Sequence, residues 1–443
     1  MTNAKTQLIG IIGEDVTHSL SPIIHSAAFR TKKLNYAYLA FNVKKDNLKD
    51  TVNGLKCLGI RGFNVTAPFK QEIIPLLDEL DETASACGAV NTVVSDNGRL
   101  KGFNTDGFGA ISAAKEEQVD FSHCLILGAG GAASAIAYAF AKEGAEVCIL
   151  NKTREKAVAL ANKLQELGLK VTGGGLESLG KEMKKATIVI NASSVGFNSN
   201  ESLVPKELLN KKTALMDVNY HPLETRLVHE AREIGCAVIT GERMLLHQAT
   251  RAFELWTGEK PDEMAMEKAL YQNLKQNIVL IGIMGSGKST VGKKLAEEKK
   301  LKLVDLDAEI EENAGMSIKE IFSQKGEAAF RELEAKCLER HFLDTQTVFA
   351  TGGGIILDEE NRRIISQMGT VIWLNISANQ AHERTVGDIT RPILEKPNRK
   401  EILEKVLENR KPIYQALCDF EINAGEKSIE EVMAEIQARI VQI

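Results

Sequence analysis

Two glycine-rich loops, and the polar side chains spaced around them, are where this sequence could do chemistry. Asn64-Val65-Thr66-Ala67-Pro68-Phe69-Lys70 sets Asn64, Thr66, Pro68 and Lys70 at alternate positions, and in an extended chain alternate side chains share one face. That face would gather an amide, a hydroxyl and an ammonium. Ser19 and Ser21 alternate in the same way before Pro22; Asn91, in Ala89-Val90-Asn91-Thr92, and Asp106, in Asn104-Thr105-Asp106-Gly107, add further hydrogen-bonding groups. Each also has an ordinary structural reading: Asn-Thr-Asp-Gly makes a good turn, and Lys70 could be one more surface lysine. Jointly they describe a pocket for a polyhydroxylated molecule that needs a proton donor.

The first loop, Gly128-Ala129-Gly130-Gly131-Ala132-Ala133, follows an aliphatic run and precedes an Ala-rich one. Small residues there let the backbone approach a pyrophosphate held by the free N–H groups of a helix N-terminus; the alternative is a tight structural turn. An NAD-specific unit ends its second strand in Asp or Glu to bind the ribose 2′-hydroxyl. Here Val147–Leu150 runs into Asn151-Lys152-Thr153-Arg154-Glu155-Lys156. The acid is missing and cations stand in its place, which favours a 2′-phosphate, and so NADP, over a merely solvated basic turn.

The second loop, Gly282-Ile283-Met284-Gly285-Ser286-Gly287-Lys288-Ser289, is a full G-x-x-x-x-G-K-[ST] pattern after an apolar run. Its N–H groups would cradle phosphates, with Lys288 on the β/γ oxygens and Ser289 on Mg²⁺. Asp305-Leu306-Asp307 is expected to put two carboxylates on one face of an extended segment, one for a metal and one for an acceptor hydroxyl. Arg331 and Glu334 fall one helical turn apart, which is equally the spacing of a surface ion pair. Val348-Phe349-Ala350-Thr351-Gly352-Gly353-Gly354 reads as a strand ending where backbone must approach a ligand closely, and Arg384, Arg391 and Arg410 supply late cations. The stretch Val386–Arg399 has no period and reads as a mobile lid.

Short aliphatic runs at Leu8–Ile12, Cys124–Leu127, Val147–Leu150, Thr187–Ile190, Ile278–Ile283, Val348–Ala350 and Val371–Leu374 alternate with helical patterns. Such alternation predicts α/β domains on mainly parallel sheets. Between the loops, Pro261 opens a helical segment with Asp262 and Glu263 at its positive end, and the next strand follows Lys275-Gln276-Asn277 at once. The boundary is placed near Gln276: residues 1–276 form one part, with a substrate lobe of about 1–105 plus 241–276 and a nucleotide lobe of about 106–240, and residues 277–443 form a P-loop domain.

The chain has 443 residues, long enough for two to four domains at ~100–200 residues each. A net charge of −5 gives no electrostatic reason to expect a nucleic-acid partner. The polar N-terminus lacks a signal-peptide core, no apolar run is long enough to span a bilayer, and the seven widely spaced cysteines fit free thiols. A soluble cytoplasmic protein is expected, with self-association neither specified nor excluded.

Ser19-Leu20-Ser21-Pro22, Asn64-x-Thr66-x-Pro68-x-Lys70, Gly88-Ala89-Val90-Asn91-Thr92, Asn104-Thr105-Asp106-Gly107, the Gly128 loop and Asn151-Lys152-Thr153, in that order over about residues 6–272, resemble the shikimate dehydrogenases. The resemblance implies a two-lobed dehydrogenase with a Rossmann-type NADP lobe, reducing 3-dehydroshikimate with NADPH. Lys70 would be the general acid/base and Asp106 its partner. Ser19, Ser21, Asn64, Thr66, Lys70, Asn91, Asp106, Tyr220 and Gln248 would hold shikimate. Gly128, Ala129, Gly130, Gly131, Ala132, Asn151, Lys152, Thr153, Arg154, Lys156 and Gly241 would hold NADP(H). The pattern has two departures: Lys152 stands where Arg is frequent, and Glu242-Arg243 replaces an apolar pair.

Residues 277–443 likewise resemble shikimate kinases, which transfer phosphate from ATP to shikimate. By that resemblance Met284, Gly285, Ser286, Gly287, Lys288, Ser289, Thr290, Arg384 and Arg391 would bind ATP, and Ser289 with Asp305 would hold Mg²⁺. Asp307 would activate the acceptor hydroxyl, Lys288 and Arg391 would stabilise the transferring group, and Asp307, Arg331, Gly353, Gly354 and Arg410 would grip shikimate. The product of the first part is then the substrate of the second. The competing readings are a catalytically silent half kept for binding or regulation, and a dehydrogenase half acting on quinate.

Overall fold

Each aliphatic run forms a strand, because β-branched and aliphatic residues fit a sheet covered on both faces. The computed structural model describes residues 2–197, 199–342, 344–386 and 398–440. It divides into two units, Met1–Leu270 and Tyr271–Ile443.

The first unit holds two sheets. Strands β1 (Gln7–Gly13), β2 (Tyr36–Asn42), β3 (Gly62–Val65), β4 (Glu79–Leu80), β5 (Thr92–Asp96) and β6 (Arg99–Phe103) form a mixed sheet in the order β2-β1-β3-β5-β6-β4. β5 runs antiparallel to β3 and β6, so this sheet is less uniformly parallel than alternation alone implies. Strands β7 (His123–Leu127), β8 (Glu146–Asn151), β9 (Val171–Gly175), β10 (Ile188–Asn191), β11 (Ala214–Asp217) and β12 (Val238–Ile239) form a second sheet, ordered β12-β11-β10-β7-β8-β9. All its pairings are parallel. This is the doubly wound dinucleotide-binding order, with its switch point between β7 and β10 at the strands' C-terminal ends. The helix Gly241–Thr257 returns to the first sheet, where Trp256, wholly buried, donates from Nε1 to the Val93 carbonyl at 2.9 Å and Phe253 stacks on Phe29 at 5.3 Å. Burying such rings contributes about 1.5–3 kcal/mol each.

In the second unit β13 (Ile278–Ile281), β14 (Lys302–Asp305), β15 (Thr347–Ala350), β16 (Thr370–Asn375) and β17 (Phe420–Asn423) make a parallel sheet ordered β14-β15-β13-β16-β17. Its core is packed by Val279, Leu280, Phe349 and Trp373, the last stacked on Tyr414 at 5.6 Å. The division between units falls inside the helix Glu263–Lys275, upstream of Gln276. The last turn of that helix belongs with the second unit for a physical reason. Tyr271 meets the Phe342 ring at 5.9 Å, and buried Lys275 donates to the Phe342 carbonyl. The Asn277 side chain then donates to the Asp344 and Met368 carbonyls at 2.7 and 2.8 Å. No described helix is long and apolar enough to cross a membrane.

Candidate active sites

In the first unit, Ser19, Ser21, Asn64, Thr66, Lys70, Asn91, Asp106, Tyr220, Gly241 and Gln248 line one cavity of about 380 Å³. Its polar floor is tied together. Lys70 Nζ donates to Asp106 Oδ2 at 2.6 Å, and Asn91 Nδ2 donates to Asp106 Oδ1 at 2.8 Å. Gln248, from the returning helix, accepts from Thr105 Oγ1 at 3.2 Å. Asn64 accepts from the buried Tyr38 hydroxyl at 2.6 Å, which fixes its amide. Tyr220 follows a turn tied to buried Asp217, whose carboxylate accepts from Thr225 Oγ1 and the Asn219 amide at 2.7 and 3.1 Å. The expected alternation fails after Thr66: the chain turns at Pro68 and Lys70 sits on the short helix Phe69–Glu72. Lys70 reaches the cavity because this turn redirects it, not because it shares a strand face with Asn64.

A groove of about 770 Å³ adjoins it, lined by Ala129, Gly130, Gly131, Ala132, Lys156 and Lys163 among others. Gly128, at φ +121°, lets the loop pass so near Ala192 that a Cβ would lie 2.8 Å from its carbonyl oxygen. Thr66, Lys70 and Ala132 line both the cavity and the groove, so the ammonium stands where the two meet. Lys163 was not anticipated. It lies seven residues beyond Lys156 on the helix Arg154–Gln165, a spacing that puts both on one face and could have revealed it. Asn151 closes β8, with its side chain donating to the Thr153 carbonyl at 3.0 Å, and exposed Arg154 lies 3.9 Å from Glu177. Arg243, one of the departures, turns to Glu116 and Glu267 on neighbouring helices. The hydrogen bond from His247, then Arg243, holds the Glu116 carboxyl down at about 2. Glu242 is buried and accepts from Thr240 Oγ1 at 2.5 Å.

In the second unit Lys288 Nζ is buried against the loop, donating to the Gly282 and Ile283 carbonyls at 2.8 and 3.0 Å. Ser289 and Thr290 begin the helix Lys288–Lys299. A cavity of about 70 Å³ is lined by Met284, Asp307, Arg331, Glu334, Gly352, Gly353, Gly354 and Arg410 with the apolar Ile318, Phe322 and Phe330. Arg410 and Tyr414 both donate to the Gly353 carbonyl, at 2.8 and 2.7 Å. Arg331 donates to Glu334 Oε2 at 2.7 Å. A Cβ at 352 would lie 2.5 Å from Glu334 Oε1 and 2.8 Å from Asp307 Oδ1, so a side chain there would displace both carboxylates. Burial raises the Glu334 carboxyl to about 7, opposed by Arg331 and reinforced by Asp307.

Asp305 and Asp307 do not share an extended face. Asp305 is the N-cap of the helix Leu306–Ala314, accepting from the Ala308 amide at 3.3 Å, and Asp307 stands in the first turn. An Asp at the end of a strand is a strong N-cap, and that propensity ends the strand there. Arg384 ends the helix Ala378–Arg384 and donates to the Ala424 and Gly425 carbonyls at 3.0 Å each. Arg391 and most of the expected lid, 387–397, lie outside the described residues. Glu334 was seen in the sequence only as a pairing partner; its place inside the cavity follows from the fold.

Four family profiles match successive stretches of this chain. The shikimate dehydrogenase substrate binding domain matches residues 11–93, the shikimate / quinate 5-dehydrogenase profile 111–218, the shikimate 5′-dehydrogenase C-terminal domain 241–271, and the shikimate kinase profile 284–441. The chain is 47% identical over 277 residues to the shikimate dehydrogenase (NADP(+)) of Pyrococcus furiosus, covering 62% of this chain and 99% of that one. A crystal structure of a shikimate dehydrogenase in complex with NADP⁺ is 44% identical, with a TM-score of 0.59 over 62% of this chain and 98% of that one. The quinate dehydrogenase of Corynebacterium glutamicum, in complex with NAD, is 32% identical with a TM-score of 0.57, over 60% and 98%. The chain belongs to the shikimate dehydrogenase family, and its polypeptide continues into a shikimate kinase domain.

Proposed function

We infer that the chain reduces 3-dehydroshikimate to shikimate with NADPH and then phosphorylates shikimate with ATP, two consecutive steps toward the aromatic amino acids. The observation that carries the first reaction is Lys70 at the meeting of cavity and groove, 2.6 Å from Asp106. NADPH, when bound, supplies a hydride to the ketone carbon. The alkoxide that develops there is protonated by the Lys70 ammonium, which Asp106 aims. Ser19, Ser21, Asn64, Thr66, Asn91, Tyr220 and Gln248 hold the carboxylate and hydroxyls. Lys152, Lys156 and Lys163 make the nucleotide end cationic without an acid at Asn151, which favours the 2′-phosphate.

In the second unit Asp307 accepts the proton of the acceptor hydroxyl. Arg331, Arg410 and the Gly353-Gly354 backbone grip the substrate, and Glu334 holds Arg331 in place. Lys288 swings from the loop carbonyls to the phosphates, an exchange of one set of acceptors for a more strongly charged one. Mg²⁺ would supply charge neutralisation at Ser289 and Asp305, whose Oδ1 also caps its helix by accepting from the Ala308 amide. A coupled assay from 3-dehydroshikimate, NADPH and ATP, following NADPH loss and ADP formation separately, tests both halves at once. NADPH loss without ADP formation would mark the second half as a binding module, and ADP formation from added shikimate without NADPH loss from 3-dehydroshikimate would mark the first. Comparing shikimate with quinate in the reverse direction tests the substrate.

A further inference from the structure

The helices Leu306–Ala314 and Ile318–Arg340 also bring together three donor groups on which neither reaction draws. Cys337 and His341 are four residues apart at the end of the longer helix, a spacing that points both side chains the same way. Glu309, on the shorter helix, faces them, and one ligand atom from each of the three lies within 4.8 Å of the others. Cys337 is 3% exposed and His341 7%. His341 stands between two carboxylates, Nε2 at 2.7 Å from Glu309 Oε2 and Nδ1 at 2.8 Å from Asp344 Oδ2. A carboxylate behind a histidine fixes its tautomer and ring direction, as it does for metal-ligating histidines.

We propose that Glu309, Cys337 and His341 form a site for one borderline-soft divalent transition-metal ion, Zn²⁺ above all, with Asp344 positioning His341 from behind. One sulfur, one imidazole nitrogen and one carboxylate oxygen suit tetrahedral Zn²⁺, whose fourth position water can take. They do not suit Mg²⁺, which takes oxygen ligands. On binding, the metal–sulfur bond forms as the S–H bond breaks, the metal replaces the proton that His341 Nε2 and Glu309 Oε2 share at 2.7 Å, and both protons leave to solvent. The ion would pin the helix carrying Asp307 to the helix carrying Arg331 and Glu334. The rival is a site without an ion, in which His341 only bridges Glu309 and Asp344 through its two hydrogen bonds.

The test titrates the full chain, stripped of metal by chelation, with Co²⁺ as a spectroscopic probe and with Zn²⁺ in competition. A thiolate-to-cobalt charge-transfer band should saturate at a single Co²⁺ per chain and be displaced by Zn²⁺. It should vanish in Cys337→Ala and persist in Cys148→Ala. Asp344→Asn should keep the band and weaken affinity ~10–100-fold, the usual effect of losing such an outer partner. An absent band, or one unchanged in Cys337→Ala, overturns the proposal. Zinc-edge X-ray absorption on the unmutated chain needs no variant to fold: a shell with one sulfur supports the site, and a shell without sulfur rejects it.

Discussion

Lys70 and Glu334 both face cavities, and each carries a prediction of its own. Lys70 is paired at 2.6 Å with Asp106, which aims its Nζ as a donor. Lys70→Ala should therefore slow reduction by ~10²–10⁴-fold, the usual worth of a positioned acid/base. ADP formation from added shikimate should be unaffected, and near-normal NADPH loss in this variant would remove Lys70 from the mechanism. Glu334 is wholly buried, and burial carries its carboxyl from 4.5 to about 7. In that interval the folded chain holds a proton that the unfolded chain has released. The stabilisation is present in full below about 4.5 and is lost as pH rises through about 7. The urea midpoint of the second unit should fall over that range, and Glu334→Gln, which cannot ionise, should flatten the fall. Parallel profiles for the two proteins would show that Glu334 does not titrate there.

At the scale of elements, what the sequence made legible was whatever depends on local chemistry. The glycine loops after β7 and β13 sit where an aliphatic run must end in a turn, and the strands are set by the same apolar runs. Three features needed the fold. Asp305 caps a helix instead of extending a strand, because its capping preference outcompetes the short run before it. Lys70 arrives from a helical turn. Gln248 meets Thr105 and Asn91 across a separation in sequence that no local pattern can encode. The C-terminal end of β8 carries its own prediction. Asn151 occupies the position from which an acid would reach the ribose hydroxyls, so the chain should show a higher kcat/KM with NADPH than with NADH. Asn151→Asp should narrow that ratio, through repulsion of the 2′-phosphate and a new acceptor for the 2′-hydroxyl. A native preference for NADH would refute the reading of Lys152, Lys156 and Lys163 as phosphate partners.

For the whole molecule the question is where one enzyme ends and the next begins. The motifs of each reaction are complete within their own unit, yet the division lies between Leu270 and Tyr271, inside the helix Glu263–Lys275. A cut before Asn277 removes no strand residue, because β13 begins at Ile278. It does remove Tyr271, which packs on Phe342, and Lys275, which is wholly buried and donates to the Phe342 carbonyl. Losing a buried aromatic side chain costs about 3–5 kcal/mol, a large share of the ~5–15 kcal/mol by which a domain is stable. Residues 277–443 alone should therefore be destabilised or aggregate. Residues 261–443, which keep the helix and its Asp262 cap, where Asp262 Oδ1 accepts from the Ala265 amide at 3.1 Å, should fold and phosphorylate shikimate with a kcat/KM within a few-fold of the full chain. Circular dichroism, thermal midpoints and ADP formation compare the two segments. If the longer one folds but is inactive, a group from the first unit must complete the kinase site. If the two match in midpoint, the last turn of the helix contributes nothing to the second unit, and its packing against Phe342 is incidental.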